Sequence, residues 1–406
     1  MTITNDLLIF LAAFIIATVL KKIFYKFIWL LPTSIIAGFI ALISSQQIIG
    51  ITTLSTRLNV YIDILLAIIF STFPLSIKDL NPTYIKSVKK LWQYSALQYF
   101  SQWGLSLFLV TAGFFYAWPI VTDTFGLVLP AGFAGGHGSA AVVGDLLYKL
   151  GNKNALTLTM AMATIGALCS VTGGMFWIFW AKKKGLVNIV DLKAQNQSFN
   201  LKADLKTMVI IYTIVAIAFF TKPYLVEVLK FEVPVFVVAV AVSILTRLIP
   251  FKLSLDDETI GTSTNIATDL LVCVGIASIQ LLIVSDFLAP LLIMSLIGLI
   301  LCIIYFKKLA LKVFEEDSFS KALFTWGWSV GGLVFGLALV KIVNPKDNIK
   351  IMQQFALTYL LLAPIEISLL LSMPYLVHNG YGLYISVFLI IMALILVKTL
   401  NKNTDK

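Results

Sequence analysis

The sequence predicts an all-helical polytopic membrane protein: two inverted five-helix repeats, each with a re-entrant hairpin, and one further C-terminal transmembrane helix. Three observations carry this. Apolar stretches of spanning length recur along nearly the whole chain, lysines gather in alternate breaks between them, and a glycine-rich stretch falls at a corresponding place in each half. With 59% hydrophobic and only 12% charged residues, the chain has more apolar surface than a soluble globule can bury.

A spanning helix needs about 20 mostly apolar residues. In the first half, residues 1–184, such runs fall near 7–20, 28–49, 59–76, 91–115 and 154–180, with a glycine-rich stretch at 124–150 before the last. Residues 185–206, rich in Lys, Asn and Gln, read as a cytoplasmic linker. The second half, 207–375, repeats the order near 207–221, 232–250, 262–284, 287–306 and 351–373, with its glycine-rich stretch at 322–345. An odd number of spans per half makes the second half enter the membrane with opposite polarity, which is an inverted repeat. Leu31-Pro32 opens the second span of one half as Val233-Pro234 opens that of the other, and Asp63 and Asp269 occupy matching third spans. The segment 376–406 adds an eleventh span, Tyr381 to Val397, outside the repeat.

The formal charge of +10 reflects topology rather than nucleic-acid binding, because the lysines sit between apolar runs and not on one face. Lys21, Lys22 and Lys26, then Lys78, Lys86, Lys89 and Lys90, then Lys182, Lys183 and Lys184 fall in alternate loops. Lys252, then Lys307, Lys308 and Lys312, and finally Lys398, Lys402 and Lys406 continue the series. Excess Lys marks the cytoplasmic side, so the reading is an inner-membrane protein with its N-terminus outside and its C-terminus cytoplasmic. The first run has its basic flank after it and no A-x-A site, the reverse of a signal peptide. Cys169, Cys273 and Cys302 lie inside apolar runs without metal or C-x-x-C spacing and read as packing residues.

The chemistry concentrates in Leu129-Pro-Ala-Gly-Phe-Ala-Gly-Gly-His-Gly-Ser-Ala-Ala-Val-Val-Gly-Asp145. Such glycine density breaks a helix, and irregular backbone at membrane depth is tolerated only where protein or a wet cavity satisfies it. A hairpin with its tip at Gly135 to Gly138 fits, with Ser139 capping a half-helix whose N–H groups and positive dipole end attract a carboxylate. The mirror element is Trp326-Gly-Trp-Ser-Val-Gly-Gly-Leu-Val-Phe-Gly336. Close helix packing through small pairs, Gly132 with Gly136 or Gly332 with Gly336, is the competing explanation of these glycines.

Gly135-Gly136-His137-Gly138-Ser139-Ala140-Ala141, followed by Ala161-Met-Ala-Thr-Ile-Gly166 and then Gly173-Gly174, resembles the bacterial glutamate:sodium symporter family. There the first hairpin reads G-G-H-G-T-A-A, the next span carries A-x-A-T-F-G and G-G, and an upstream span carries P-x-x-x-x-G, seen here less regularly as Pro32 to Gly38. The family's upstream Gln resembles Gln102, and the Arg that ends its second proline-containing span resembles Arg247. The resemblance covers roughly residues 5–375. It implies an elevator-type carrier, dimeric through a scaffold, that takes up an acidic amino acid such as glutamate by symport with sodium. The substrate-binding set is then Gly135, Gly136, His137, Gly138, Ser139, Gly331 and Gly332, with Gln102 and Arg247. One departure stands out: the family's second hairpin carries a G-x-G-A-T-P-T-like stretch, where this chain reads Gly336-Leu-Ala-Leu-Val-Lys-Ile.

Sodium is a hard cation that takes oxygen ligands, and Ser139, Thr164, Ser329 and Asp269 are the candidates. Ionisable groups inside spans default to functional hypotheses, which singles out Asp269 and Glu366, with Asp63 and Arg247 nearer to span ends. Structural pairing or an interfacial position is the plainer alternative for each. His137 can orient backbone as readily as carry a proton. An enzyme is excluded by the lack of H-E-x-x-H or G-x-S-x-G and of a second imidazole near Ser139. A channel would show filter loops or charge rings. A carrier of a hydroxycarboxylate such as citrate shares the repeat plan and is the nearest alternative.

Overall fold

The computed structural model describes residues 3–24, 32–54, 58–75, 85–114, 116–186, 204–229, 235–248, 255–314, 317–343 and 345–402. Leu31, Val233, Pro234, Lys26, Lys78, Lys252, Lys406 and the linker residues 187–203 lie outside them.

All regular structure among the described residues is helical, with one isolated bridge between Ser45 and Thr52. In chain order the helices are α1 (Ile3–Ile23), α2 (Thr33–Ser44), α3 (Leu58–Leu75), α4 (Ile85–Thr111), α5 (Val128–Gly132), α6 (Gly136–Lys149), α7 (Ala155–Lys183) and α8 (Leu205–Leu229). They continue as α9 (Val235–Leu248), α10 (Asp257–Ala277), α11 (Leu281–Asp286), α12 (Leu288–Tyr305), α13 (Ser318–Gly331), α14 (Leu333–Val343), α15 (Pro345–His378) and α16 (Gly382–Lys402). Helix is what apolar sequence must form where no water satisfies the backbone. By length and composition, six helices of the described residues can cross a membrane, and three shorter apolar helices accompany them. Large apolar side chains such as Phe220, Val228, Leu394 and Phe388 face outward, a surface that suits lipid and not water. The chain is a multi-pass membrane protein.

The chain divides into two compact units, and each draws on both halves. Met1–Asp79 with Asn196–Ser278 make one, and Leu80–Gln195 with Ile279–Lys406 make the other.

The first unit holds α1–α3 and α8–α10. Its crossings are close: a Cβ on Gly38 would meet the Ile276 side chain at 2.7 Å. The Ser243 hydroxyl donates to the Ser71 carbonyl at 2.6 Å and Thr264 Oγ1 to Thr72 Oγ1 at 2.7 Å. Helices α8 and α10 start from two D-x-x-T turns, Asp204 to Thr207 and Asp256 to Thr259. Each Asp carboxylate accepts from the amide and hydroxyl of its own Thr. Each Thr hydroxyl in turn accepts the amide N–H of the other Asp, at 2.8 and 3.0 Å. Two helix N-termini, with donors otherwise unpaired, are thus clasped together.

The second unit holds α4–α7 and α11–α16. Helix α4 is too polar to rank among the six apolar spans, and it starts at Ile85, before the expected run at 91–115. Its polar side chains turn inward, since Gln98, Ser101, Gln102 and Ser106 are buried. Trp177 of α7 stacks on Phe306 with centroids 4.3 Å apart, and the Trp326 indole N–H donates to the Ser170 carbonyl at 3.1 Å. The first contact ties α7 to the segment just after α12, and the second ties it to α13.

Candidate functional site

Two helices of the second unit are broken, where glycines were expected to break them. Helix α5 ends at Gly132, and Phe133, Ala134 and Gly135 separate it from α6, which begins at Gly136 with φ +60°. Helix α13 ends at Gly331, and Gly332 alone, at φ +101°, separates it from α14. Both angles lie in the left-handed region that favours glycine. The two breaks touch: a Cβ on Gly136 would stand 2.9 Å from the Gly331 carbonyl oxygen. Other glycines serve packing. A Cβ at Gly132 or Gly166 would strike the backbone of α7 or α13, and one at Gly327 the backbone of Gly336.

Ser139 does not cap the half-helix. Because Gly136 accepts a positive φ, α6 starts three residues earlier, with Gly135 at the cap position and no side-chain cap. Ser139 therefore lies in the first turn, and its hydroxyl donates to Glu366 Oε1 on α15 at 3.2 Å. Glu366 is 4% exposed. The Tyr359 and Tyr99 phenols lie within its electrostatic reach. Tyr99 is buried, and its hydroxyl is not aligned for a hydrogen bond to any group.

The remaining predicted residues fall into two places. His137, buried in the first turn of α6, meets Thr164 of α7, Nε2 to Oγ1 at 3.2 Å, and the Thr164 hydroxyl reaches the Met160 carbonyl at 3.0 Å. Gln102 of α4 donates through Nε2 to the Ser329 carbonyl at 2.8 Å. That carbonyl is in the last turn of α13, where helical partners run out. Ser329 itself lies in α13, not in the break. Gly135, Gly136, His137, Gly138, Ser139, Gly331, Gly332, Gln102, Thr164 and Ser329 thus share one unit. Arg247, in the last turn of α9, and Asp269, on α10, belong to the other. Asp269 has the Ser34 hydroxyl and the Lys21 ammonium as neighbours there.

Tyr99 and Tyr359 had no sequence signal, since a tyrosine in a long helix is most often a packing residue. Glu366 had one, a carboxylate inside an apolar run, but nothing in the sequence tied it to Ser139, 227 residues away.

The unit therefore brings two helix breaks into contact, near buried hydroxyls, one imidazole and one carboxylate. Among the described residues no group of three or more His, Cys, Asp or Glu stands ready to hold a metal ion. No curated protein matches the chain. The family described as sodium/glutamate symporter matches residues 1–333, more than three quarters of the length and as far as the first residue of α14. The chain belongs to the sodium/glutamate symporter family.

Proposed function

We propose that the protein is a secondary active transporter that takes up L-glutamate, or a closely related acidic amino acid, by symport with sodium across the inner membrane. The observation that carries this reading is the contact of the two glycine breaks, Gly136 against Gly331, within one unit of a chain from a sodium/glutamate symporter family. Opposed half-helix ends suit an anionic substrate and its coupling ion together: N–H groups and the positive dipole end attract carboxylate, and freed carbonyls attract sodium.

In this reading the substrate docks on the first turn of α6 around Gly135 to Ser139 and on the break at Gly331 and Gly332. Sodium takes oxygens from among Ser139, Thr164 and Ser329. Gln102 holds the end of α13 through the Ser329 carbonyl. Arg247 and Asp269 act within the first unit, Asp269 beside Lys21 as a paired charge. The sequence halves are inverted repeats, the N-terminus lies outside, and the C-terminus is cytoplasmic. The unit that carries both hairpins moves with its cargo, and the protein works as a homodimer. Sodium binding first makes tip closure favourable only with both ligands aboard, so the sodium gradient drives the cycle.

Uptake of labelled glutamate into proteoliposomes tests this, with an inward sodium gradient, a potassium-only control, and aspartate and citrate as competitors. The expected result is uptake with sodium alone, competed by aspartate and not by citrate. Equal uptake in potassium, or competition by citrate as strong as by aspartate, would refute it.

A further inference from the structure

We infer that Glu366 is the counter-charge for the ammonium group of the transported amino acid, and so the residue that selects an amino acid over the matching hydroxy acid. The inference rests on the acidic amino-acid reading above and deepens it.

Glu366 lies on α15, beyond the end of the family match at residue 333, and α15 packs against α4 and α6. Hydroxyls surround its carboxylate: Ser139 from α6, Tyr99 from α4 and Tyr359 from its own helix. Among the described residues no Lys, Arg or His makes an ion pair with it. A carboxylate buried among hydroxyls is costly until a cation joins it.

Valence and geometry point to the kind of cation. An ammonium has three N–H donors and no acceptor. Glu366 Oε, Ser139 Oγ and Tyr99 Oη are three acceptors. The last is buried beside Glu366 with no well-aligned hydrogen bond in this structure, and its oxygen can accept from an entering ammonium. Neutral hydroxyls and a single carboxylate match one ammonium well, whereas nothing here matches a polyvalent metal.

The position of the carboxylate adds a second argument. Glu366 already faces the first turn of α6, the electropositive end of that half-helix. A cargo carboxylate brought to the same donors meets a fixed negative charge, while its amine meets a partner. The cargo is therefore oriented with its amine toward Glu366 and Ser139 and its carboxylates toward the break at Gly331 and Gly332. Since the tips touch in this structure, they part to admit the cargo. Ser139 then serves the amine, and Thr164 and Ser329 remain for sodium. A hydroxy acid in the same pose leaves Glu366 unpaired.

The test compares L-glutamate, 2-hydroxyglutarate and glutarate as inhibitors of labelled glutamate uptake in proteoliposomes. For the native protein the two analogues should be weaker by about 100-fold or more, because a site built for a donor rejects ligands that lack it. Glu366→Gln should weaken glutamate by about that factor and bring the three ligands within a few-fold of one another. Glu366→Asp should keep the preference for the amine, and Tyr99→Phe should lose roughly tenfold of it. If the Gln variant shows no uptake, thermal stabilisation of the purified protein gives the same comparison: glutamate and glutarate should then stabilise it equally. Preservation of the native preference in Glu366→Gln would overturn the inference, as would an effect confined to the sodium concentration for half-maximal uptake. Absence of glutamate uptake by the native protein would instead bring down the acidic amino-acid reading on which the inference stands.

Discussion

The two hairpins do the same geometric job with different chemistry. The first breaks over three residues, and the helix that leaves it carries His137 and Ser139 in its first turn, each in contact with a polar side chain of another helix. The second breaks at one residue, and the helix that leaves it, Leu333–Val343, has no hydroxyl side chain at all. Its polar contact comes from outside, where Gln102 caps the Ser329 carbonyl at the end of the incoming helix. Polar side-chain contacts beside the breaks are therefore concentrated on the first hairpin and its partners α7 and α15. The break of the second hairpin is made by backbone alone at Gly332, with Ser329 one turn before it, so the helix breaks there without a Thr-Pro stretch.

The largest effect that separates the hairpins comes from their special glycines. Valine at Gly136 faces both a positive φ, costing ~1–3 kcal/mol, and the Gly331 carbonyl at 2.9 Å. Gly136→Val should cut sodium-driven uptake by about 100-fold at equal membrane insertion. Alanine at Gly332 meets only the strain, because its nearest neighbour is 3.6 Å away, so Gly332→Ala should lose about tenfold. Equal losses at the two positions would show that close approach of the tips contributes nothing.

Ser139→Ala removes the one hydrogen bond that joins the first hairpin to Glu366. Bonds to charged groups are worth ~1.5–3 kcal/mol, so the half-saturating glutamate concentration should rise by roughly tenfold or more, and Ser139→Thr should restore it. A substitution on the second hairpin's side behaves differently. Gln102→Leu leaves the Ser329 carbonyl without its donor, at ~1–3 kcal/mol. It should lower the midpoint of thermal unfolding in detergent more than it raises half-saturation. The reverse ranking would move Gln102 from support to substrate contact.

The smallest effect lies in the other unit. Asp256→Ala opens one side of the clasp between α8 and α10, a cap worth ~1 kcal/mol, and should lower thermal stability without changing half-saturation for glutamate. The amide and hydroxyl of Thr207 hold the Asp204 carboxyl below its ordinary range. Its contribution is thus fully present above the usual Asp range and lost as pH falls through the lowered value. The difference in unfolding midpoint between native protein and Asp204→Ala should be flat from about pH 5 to 8 and shrink below.

Most expected spans overlap a helix, because hydropathy decides where a lipid-exposed chain can cross. Two do not match: the run at 262–284 is interrupted between α10, which ends at Ala277, and α11, which starts at Leu281, and among the described residues of 28–49 only Thr33–Ser44 is helical. The start of α4 at Ile85 was less legible, since Lys86, Lys89 and Lys90, read as a loop between spans, lie in its first turns. The breaks at Gly135-Gly136 and Gly331-Gly332 were readable as glycine clusters. The role of Ser139 was not, because helix start depends on a dihedral angle at Gly136 that no pattern reports. The D-x-x-T turns could be read as caps, but their exchange of amides couples positions 55 and 49 residues apart. The pairing of Glu366 with Ser139 is longer still. Tertiary pairing of single polar residues leaves no periodic trace in a sequence, whereas burial of whole faces does.

The central claim is that glutamate and sodium bind where the two tips meet. A Ser139→Cys protein, with Cys169, Cys273 and Cys302 replaced, allows the most direct test through the rate of alkylation at that one thiol in proteoliposomes. Glutamate with sodium should slow alkylation by about tenfold at ten times its dissociation constant, and glutamate in potassium should not. An alkylation rate unchanged by glutamate and sodium, at concentrations that saturate uptake by the same protein, would place the binding site elsewhere.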